Sequence, residues 1–195
     1  KYKHIIRKTP DQITKLGVAR TFQNIRIYPK MSVCENVAIG LNSVPPYTAL
    51  EAMLCTPKVR KKEREAFEKA LEFLEMVGLQ DFSDQEAGAL PYGLQRKLEI
   101  ARALATKPKL LFLDEPAAGM NTGESIELVQ FLRQIHENTG LAIVLIEHHL
   151  EVVMEVCKNI TVLNLVTLLA TGTPQEIQNN PQVIKAYLGE RRKKQ

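Results

Sequence analysis

The stretch LLFLDEPAAGMN, Leu110–Asn121, decides how this chain is read. Four apolar residues run straight into Asp114 and Glu115, and a proline with small residues follows. A short apolar run bounded by a turn reads as a buried parallel strand that delivers two carboxylates to its carboxyl end. Open α/β sheets bind ligands at that edge. The first acid can hold a Mg²⁺ ion through water, and the second can polarise an attacking water. The dipeptide alone fits equally well a buried strand running into an ordinary acidic loop, so the flanking residues decide.

Working outward, helix and strand patterns alternate. Upstream lies ALPYGLQRKLEIARALATKPK, Ala89–Lys109, where a helix beginning near Gly93 sets Leu94, Leu98, Ala101 and Leu104 on one face and Pro108 follows its end. Downstream, Asn121 with Glu124 forms a capping box for a helix with an apolar face of Ile126, Val129, Leu132 and Ile135, closed by Gly140. An apolar strand, Leu141–Ile146, then ends in Glu147, His148 and His149. Much earlier, GVARTFQN, Gly17–Asn24, offers a short strand over Val18–Phe22 leading to Gln23. Between them, Asn42–Pro57 holds three prolines and small residues and reads as a loop or a broken connection. From Arg60 to Val77, Phe67, Ala70, Leu71, Leu74 and Val77 recur at helical spacing, with Gly78 as a stop. Thr173-Pro174-Gln175-Glu176 repeats the capping logic with proline at the first helical position. This order is that of an α/β fold with parallel strands joined by helices.

In sequence order and spacing these blocks resemble the ATP-binding subunits of ABC transporters. Leu90–Gln95 matches the signature motif, Leu110–Glu115 the Walker B strand, Ala118–Asn121 the D-loop, His148 the switch histidine and Gln23 the Q-loop glutamine. The wording TFQNIR, LPYGLQRKLEIARAL, IEHH and GTPQEIQNNPQVIKAYLGE is similar to the branched-chain amino acid importer branch. The resemblance implies a P-loop NTPase (RecA-like) core with an inserted helical subdomain, and ATP and Mg²⁺ as cofactors. It divides the chain into residues 1–28 with the Q-loop strand, 29–107 with the helical subdomain and signature helix, and 108–195 with the Walker B, D-loop and H-loop half and the C-terminal helices.

The same resemblance assigns roles. Asp114 is expected to support the hydrated Mg²⁺, with Gln23 beside it. Glu115 is expected to orient or deprotonate the hydrolytic water, and His148 to contact the γ-phosphate. Leu90, Pro91, Tyr92, Gly93, Gln95 and Asn121 are expected to face nucleotide held by a homologous partner subunit. Three departures accompany these matches. Pro91 replaces the usual signature serine and offers neither hydroxyl nor amide hydrogen, Asn121 replaces a more common aspartate, and His149 stands where an aspartate is frequent.

A P-loop needs G-x-x-x-x-G-K-[ST], because consecutive amides and one lysine wrap the phosphates. The glycine pair with that spacing, Gly88 and Gly93, is followed by Leu94 and Gln95 and lies inside the signature region. Gln23 stands close to residue 1, a lysine. The chain is therefore expected to be the C-terminal part of a longer ATPase, lacking the N-terminal strands of the core and the P-loop, whether by natural truncation or as a partial sequence. In this fold the P-loop strand lies between the strand before His148 and the strand near Ile160–Leu163, so both are expected to show open edges. The run ITVLNLVTLLA, Ile160–Ala170, has no glycine where a tight hairpin would turn.

Composition fits an ordinary globular domain, with 45% hydrophobic and 25% charged residues. No apolar run approaches the roughly 18 residues of a membrane span, and no signal-peptide pattern opens the sequence. Cys34, Cys55 and Cys157 are scattered without metal spacing and read as reduced cytosolic thiols. The net charge of +4 draws on Arg191–Lys194 and Arg60–Arg64, which read as a solvated tail and an exposed helix face rather than a nucleic-acid site.

Three functional readings follow. The first is a subunit hydrolysing ATP for branched-chain amino acid uptake, peripheral on the cytoplasmic face of the membrane, with transmembrane permease partners. The second is an ATPase-incompetent docking module, favoured for this chain alone by the missing P-loop. The third is another ABC branch, such as lipopolysaccharide export.

Overall fold

A computed structural model of the chain describes residues 7–41 and 47–188, in two compact units, Lys1–Ile146 and Glu147–Gln195. The proline pair Pro45–Pro46 and the basic tail Arg191–Lys194 lie outside the described residues. In the first unit the elements are α1 (Pro10–Lys15), β1 (Val18–Arg20), α2 (Val33–Leu41), α3 (Ala49–Met53), α4 (Pro57–Met76), α5 (Tyr92–Ala105), β2 (Leu110–Asp114), α6 (Thr122–Thr139) and β3 (Ala142–Ile146).

The acidic strand is the centre of a parallel sheet ordered β1-β2-β3. Its register pairs Arg20 with Phe112 and Asp114 with Ile146, so the carboxyl ends of the strands share one edge. Leu111 and Leu113 are fully buried, as the unbroken apolar run requires. Among the described residues β3 pairs only with β2, and Val144 and Ile146 stay 40% and 49% exposed. One of the two expected open edges is thus present.

Helices cover the sheet and build a bundle beside it. In α2, six of nine residues are buried, including Asn36, and the helix packs on both α4 and α5. Contact with α5 is close at Gly40, where a Cβ would stand 2.5 Å from the Arg102 carbonyl oxygen. Asn36 repays its burial with three bonds: Nδ2 donates to Tyr28 O (3.0 Å) and Ser32 O (2.9 Å), and Oδ1 accepts from Tyr28 N (2.8 Å). These bonds tie the segment after Gln23 to α2.

Three sequence expectations change here. The proline-rich stretch contains α3, capped by Thr48 and Glu51. Hydrogen bonds from Lys58 and Thr48 hold the Glu51 carboxyl down to about 2. In α4 the buried face is Val59, Ala66, Ala70 and Leu74, while Phe67 and Leu71 are exposed. In α6 it is Leu128, Val129, Phe131, Leu132 and Ile135, while Ile126 is exposed. Spacing defines which residues can share a face, but the neighbouring elements define how much of that face is covered. The basic stretch near Arg60 and Arg64 is a solvated face, as expected.

The second unit comprises α7 (Leu150–Val156), β4 (Ile160–Asn164), β5 (Thr167–Gly172), α8 (Pro174–Gln178) and α9 (Pro181–Val183). Its core is Ile160, Val162, Ile177 and Val183, with Val153, Met154 and Leu169 packed against it. Among the described residues β4 pairs only with β5, so its other edge is also open. The two strands close through a two-residue turn, Leu165-Val166, with φ of 46° and 66°. The hairpin is tight despite lacking glycine, and two apolar residues sit in the left-handed region at 91% and 98% exposure.

Candidate active site

At the shared carboxyl edge, Arg20 ends β1 and Asp114 ends β2. Arg20 Nη2 donates to Asp114 Oδ2 at 2.7 Å, with the side chains 57% and 25% exposed. Glu115 leaves the strand in the left-handed region, φ 44°, while its N–H donates to Ile146 O at 2.8 Å. A non-glycine residue held there carries a strain of order 1–3 kcal/mol and marks a position fixed by its surroundings. Gln23 reaches this position: its Nε2 donates to Glu115 Oε2 at 2.8 Å. Two residues singled out separately in the sequence thus meet.

Behind Gln23, the N-terminal end of α5 carries the signature. Leu90 is buried, Pro91 is the N-cap and Tyr92 and Gly93 open the helix. Gln95 Nε2 donates to Leu90 O at 2.8 Å and so holds the turn rather than facing outward. A Cβ on Gly93 would meet nothing closer than Glu124 at 3.6 Å, so packing within this chain does not demand glycine there. Tyr92 Oη donates to Ala118 O at 3.1 Å, joining the signature to the turn after Glu115. In that turn Gly119 has φ 79° and its Cα hydrogen faces the Tyr92 ring. Pro91, Gly93, Leu94, Lys97, Met120 and Glu124 surround a hollow of about 220 Å³. Asn121 caps α6: its Oδ1 accepts from Glu124 N at 3.0 Å while its N–H donates to Glu124 Oε2 at 2.9 Å.

His148 belongs to the second unit, so its surroundings are those of that unit. It is exposed, and its ring stands 4.2 Å from the His149 ring, centroid to centroid. The Glu147 side chain is fully buried, and its Oε2 accepts from His148 N (3.1 Å) and His149 N (3.4 Å) and contacts His149 Nδ1 (3.0 Å). Ligating atoms of Glu147, His148 and His149 lie within 4.8 Å of one another. That set, rich in imidazole, suits a zinc-like ion better than Mg²⁺, which prefers oxygen.

Sequence reading missed Arg20, Arg96 and Glu99. Arg20 could have been found as the cation ending the strand that leads to Gln23. Arg96 and Glu99 gave no such signal, because charged residues one turn apart on a helix ordinarily face water.

Residues 3–118 match the family model described as ABC transporter, and residues 167–193 that described as branched-chain amino acid ATP-binding cassette transporter. The high-affinity branched-chain amino acid transport ATP-binding protein LivG of Salmonella typhimurium is 42% identical over 188 residues, 96% of this chain and 74% of LivG. BraF of Pseudomonas aeruginosa, described in the same words, is 43% identical over 179 residues, 92% of this chain and 70% of BraF. Among solved structures, the ADP conformation of MJ1267, an ATP-binding cassette of an ABC transporter, aligns with a TM-score of 0.77 at 30% identity, covering 96% of this chain and 74% of that one. A nucleotide-free ATP-binding cassette from an ABC transporter aligns with a TM-score of 0.76 at 31% identity, over 95% of this chain and 74% of that one. No described helix is long and apolar enough to cross a membrane. The chain belongs to the ABC transporter ATP-binding family, with the cassette fold of a P-loop NTPase, and its sequence places it with LivG and BraF.

Proposed function

We propose that this chain serves an ABC importer as its ATP-binding and ATP-hydrolysing subunit, energising branched-chain amino acid uptake. The observation that carries this reading is the Gln23–Glu115 hydrogen bond beside Asp114, on the carboxyl edge of a parallel sheet. Asp114 Oδ1 and the Gln23 amide oxygen are oxygen donors, which fit Mg²⁺ held through water. Bound there, the ion would neutralise charge on the phosphates. Glu115 takes a proton from the attacking water, and Gln23 holds its carboxylate until a ligand draws the amide away.

Pro91, Tyr92 and Gly93 face nucleotide on a homologous partner, while buried Leu90, Gln95 and the helix cap Asn121 hold the turns behind them rather than facing it, and His148 contacts the γ-phosphate. Residues 29–107 act as the helical subdomain. Exposed apolar side chains there and next to Gln23, among them Phe22, Tyr28, Leu50, Met53 and Leu54, support a surface pressed by a transmembrane permease. The subunit then sits on the cytoplasmic face of the membrane, and no nucleic acid takes part. Because the 195 residues hold no G-x-x-x-x-G-K-[ST] stretch, the phosphate-wrapping lysine must come from protein outside them.

Reconstitution with a P-loop-bearing segment and permease in vesicles tests the proposal. ATP-dependent leucine uptake that Glu115→Gln abolishes, with nucleotide binding retained, is expected. Docking on the permease with no ATP turnover would establish the incompetent-module reading instead.

A further inference from the structure

Arg96 lies wholly inside the protein, one turn into α5, and its guanidinium reaches the backbone of the loop that carries Gln23 as well as Tyr92 and Glu99 of its own helix. Nη1 donates to Phe22 O and to Glu99 Oε2, both at 2.8 Å. Nη2 donates to Gln23 O at 2.7 Å and reaches Tyr92 Oη at 3.4 Å. Glu99, 3% exposed, turns its other oxygen to Arg26 N at 3.0 Å. The ion pair thus grips the main chain on both sides of the Gln23 side chain.

The contacts close on themselves. Gln23 Nε2 bonds Glu115, Glu115 O accepts from Ala118 N at 3.1 Å, Ala118 O accepts from Tyr92 Oη, and Tyr92 leads back to Arg96. We infer that Arg96 is a positioning residue: with Glu99 it couples displacement of the signature helix to the Gln23 amide and, through it, to the Glu115 carboxylate.

A buried ion pair is a weak source of net stability, and apolar residues of similar volume often serve the fold as well. What apolar residues cannot do is hold two backbone carbonyls and an N–H of a loop in register with a helix. Arg96 gives two donor bonds to those carbonyls and Glu99 accepts from the N–H, while Arg96 Nε has no partner among the described residues. A helix moving as a rigid rod carries these donors with it, so the Gln23 backbone must follow and its side-chain bond to Glu115 lengthens or shortens accordingly. The functional consequence rests on Glu115 being the hydrolytic carboxylate; the mechanical coupling does not.

Amide hydrogen exchange on the 195-residue chain, without nucleotide, tests the coupling directly. Tyr92→Phe, a change at a half-exposed ring, opens the circuit at one hydroxyl, removing its links to Ala118 O and to Arg96. It is expected to speed exchange in 115–121 severalfold, with 57–76 unchanged. Arg96→Met/Glu99→Met removes the charges together and is expected to keep the native circular dichroism while exchange in both 20–27 and 115–121 rises about tenfold. Leu74→Ala, a cavity in α4 away from the circuit, is the control for general loosening. Unchanged exchange in 115–121 in both Tyr92→Phe and the double variant would overturn the inference, as would an equal rise in Leu74→Ala. If the double variant does not fold, Arg96→Lys replaces it under the same criteria. In the reconstituted ATPase, Arg96→Lys is expected to lower kcat while KM for ATP holds within about twofold. Loosened exchange with unaltered kcat would leave the coupling standing and remove Glu115 from the hydrolytic role.

Discussion

Gln23 Nε2 donates to Glu115 Oε2 across 2.8 Å, joining residues 92 positions apart in the sequence. The bond fixes where the carboxylate proposed as general base points. Gln23→Ala removes that hold, so kcat of the reconstituted ATPase should fall at least about tenfold. An unchanged kcat would separate Gln23 from the reacting group.

Arg20 and Asp114 pair at the same edge, where both are partly solvated. Such pairs contribute about 0–1 kcal/mol, so Arg20→Met should alter thermal stability little. It removes a cation that competes with a metal for Asp114, so Mn²⁺ affinity in the presence of ATP should rise about three- to tenfold. Electron paramagnetic resonance of Mn²⁺ measures this, and weaker binding would show that Arg20 helps to hold the phosphates instead.

The Leu165-Val166 turn invites repair. Both residues have positive φ, and both are almost fully exposed, so neither strain nor solvent contact is offset by packing. Leu165→Asn/Val166→Gly supplies the sequence such a turn prefers and should stabilise the second unit by about 1–3 kcal/mol. A denaturant midpoint that falls on this change would refute the turn geometry.

Much of the fold was legible in the residues, for reasons particular to each element. β2, α5 and α6 carry unbroken or periodic apolar patterns and end in clear stop signals. α2 hid because Asn36 and Gly40 interrupt its apolar pattern although both are buried. Phe67, Leu71 and Ile126 looked like core and are exposed, since helical spacing does not say which part of a face a neighbour will cover. At the site, Gln23, Asp114 and Glu115 were readable by motif and do converge along one edge. Arg96 and Glu99 were not, because their burial is made tolerable by partners that are distant in sequence. The hairpin shows the converse: turn chemistry argued against a tight turn, and strand pairing imposed one.

Thiol chemistry follows the burial. Burial raises the Cys34 thiol, helped by Asp84 and Glu35, and burial alone raises Cys157. Cys55 is exposed. A raised pKa leaves less thiolate at any pH below it, so at pH 8 iodoacetamide should label Cys55 first and the other two more than about tenfold slower. Mass spectrometry of timed samples resolves the order, and equal rates would contradict the packing of α2 and α7.

The measurement closest to the central claim is the affinity of the 195-residue chain for a fluorescent ATP analogue with Mg²⁺. It would be made on the chain alone and on the chain joined to a P-loop-bearing segment. Millimolar or absent binding is expected of the chain alone, and micromolar, Mg²⁺-dependent binding that Asp114→Ala weakens is expected of the joined form. Micromolar binding by the chain alone, lost in Asp114→Ala, would contradict this and show that these residues build a phosphate site without a Walker lysine.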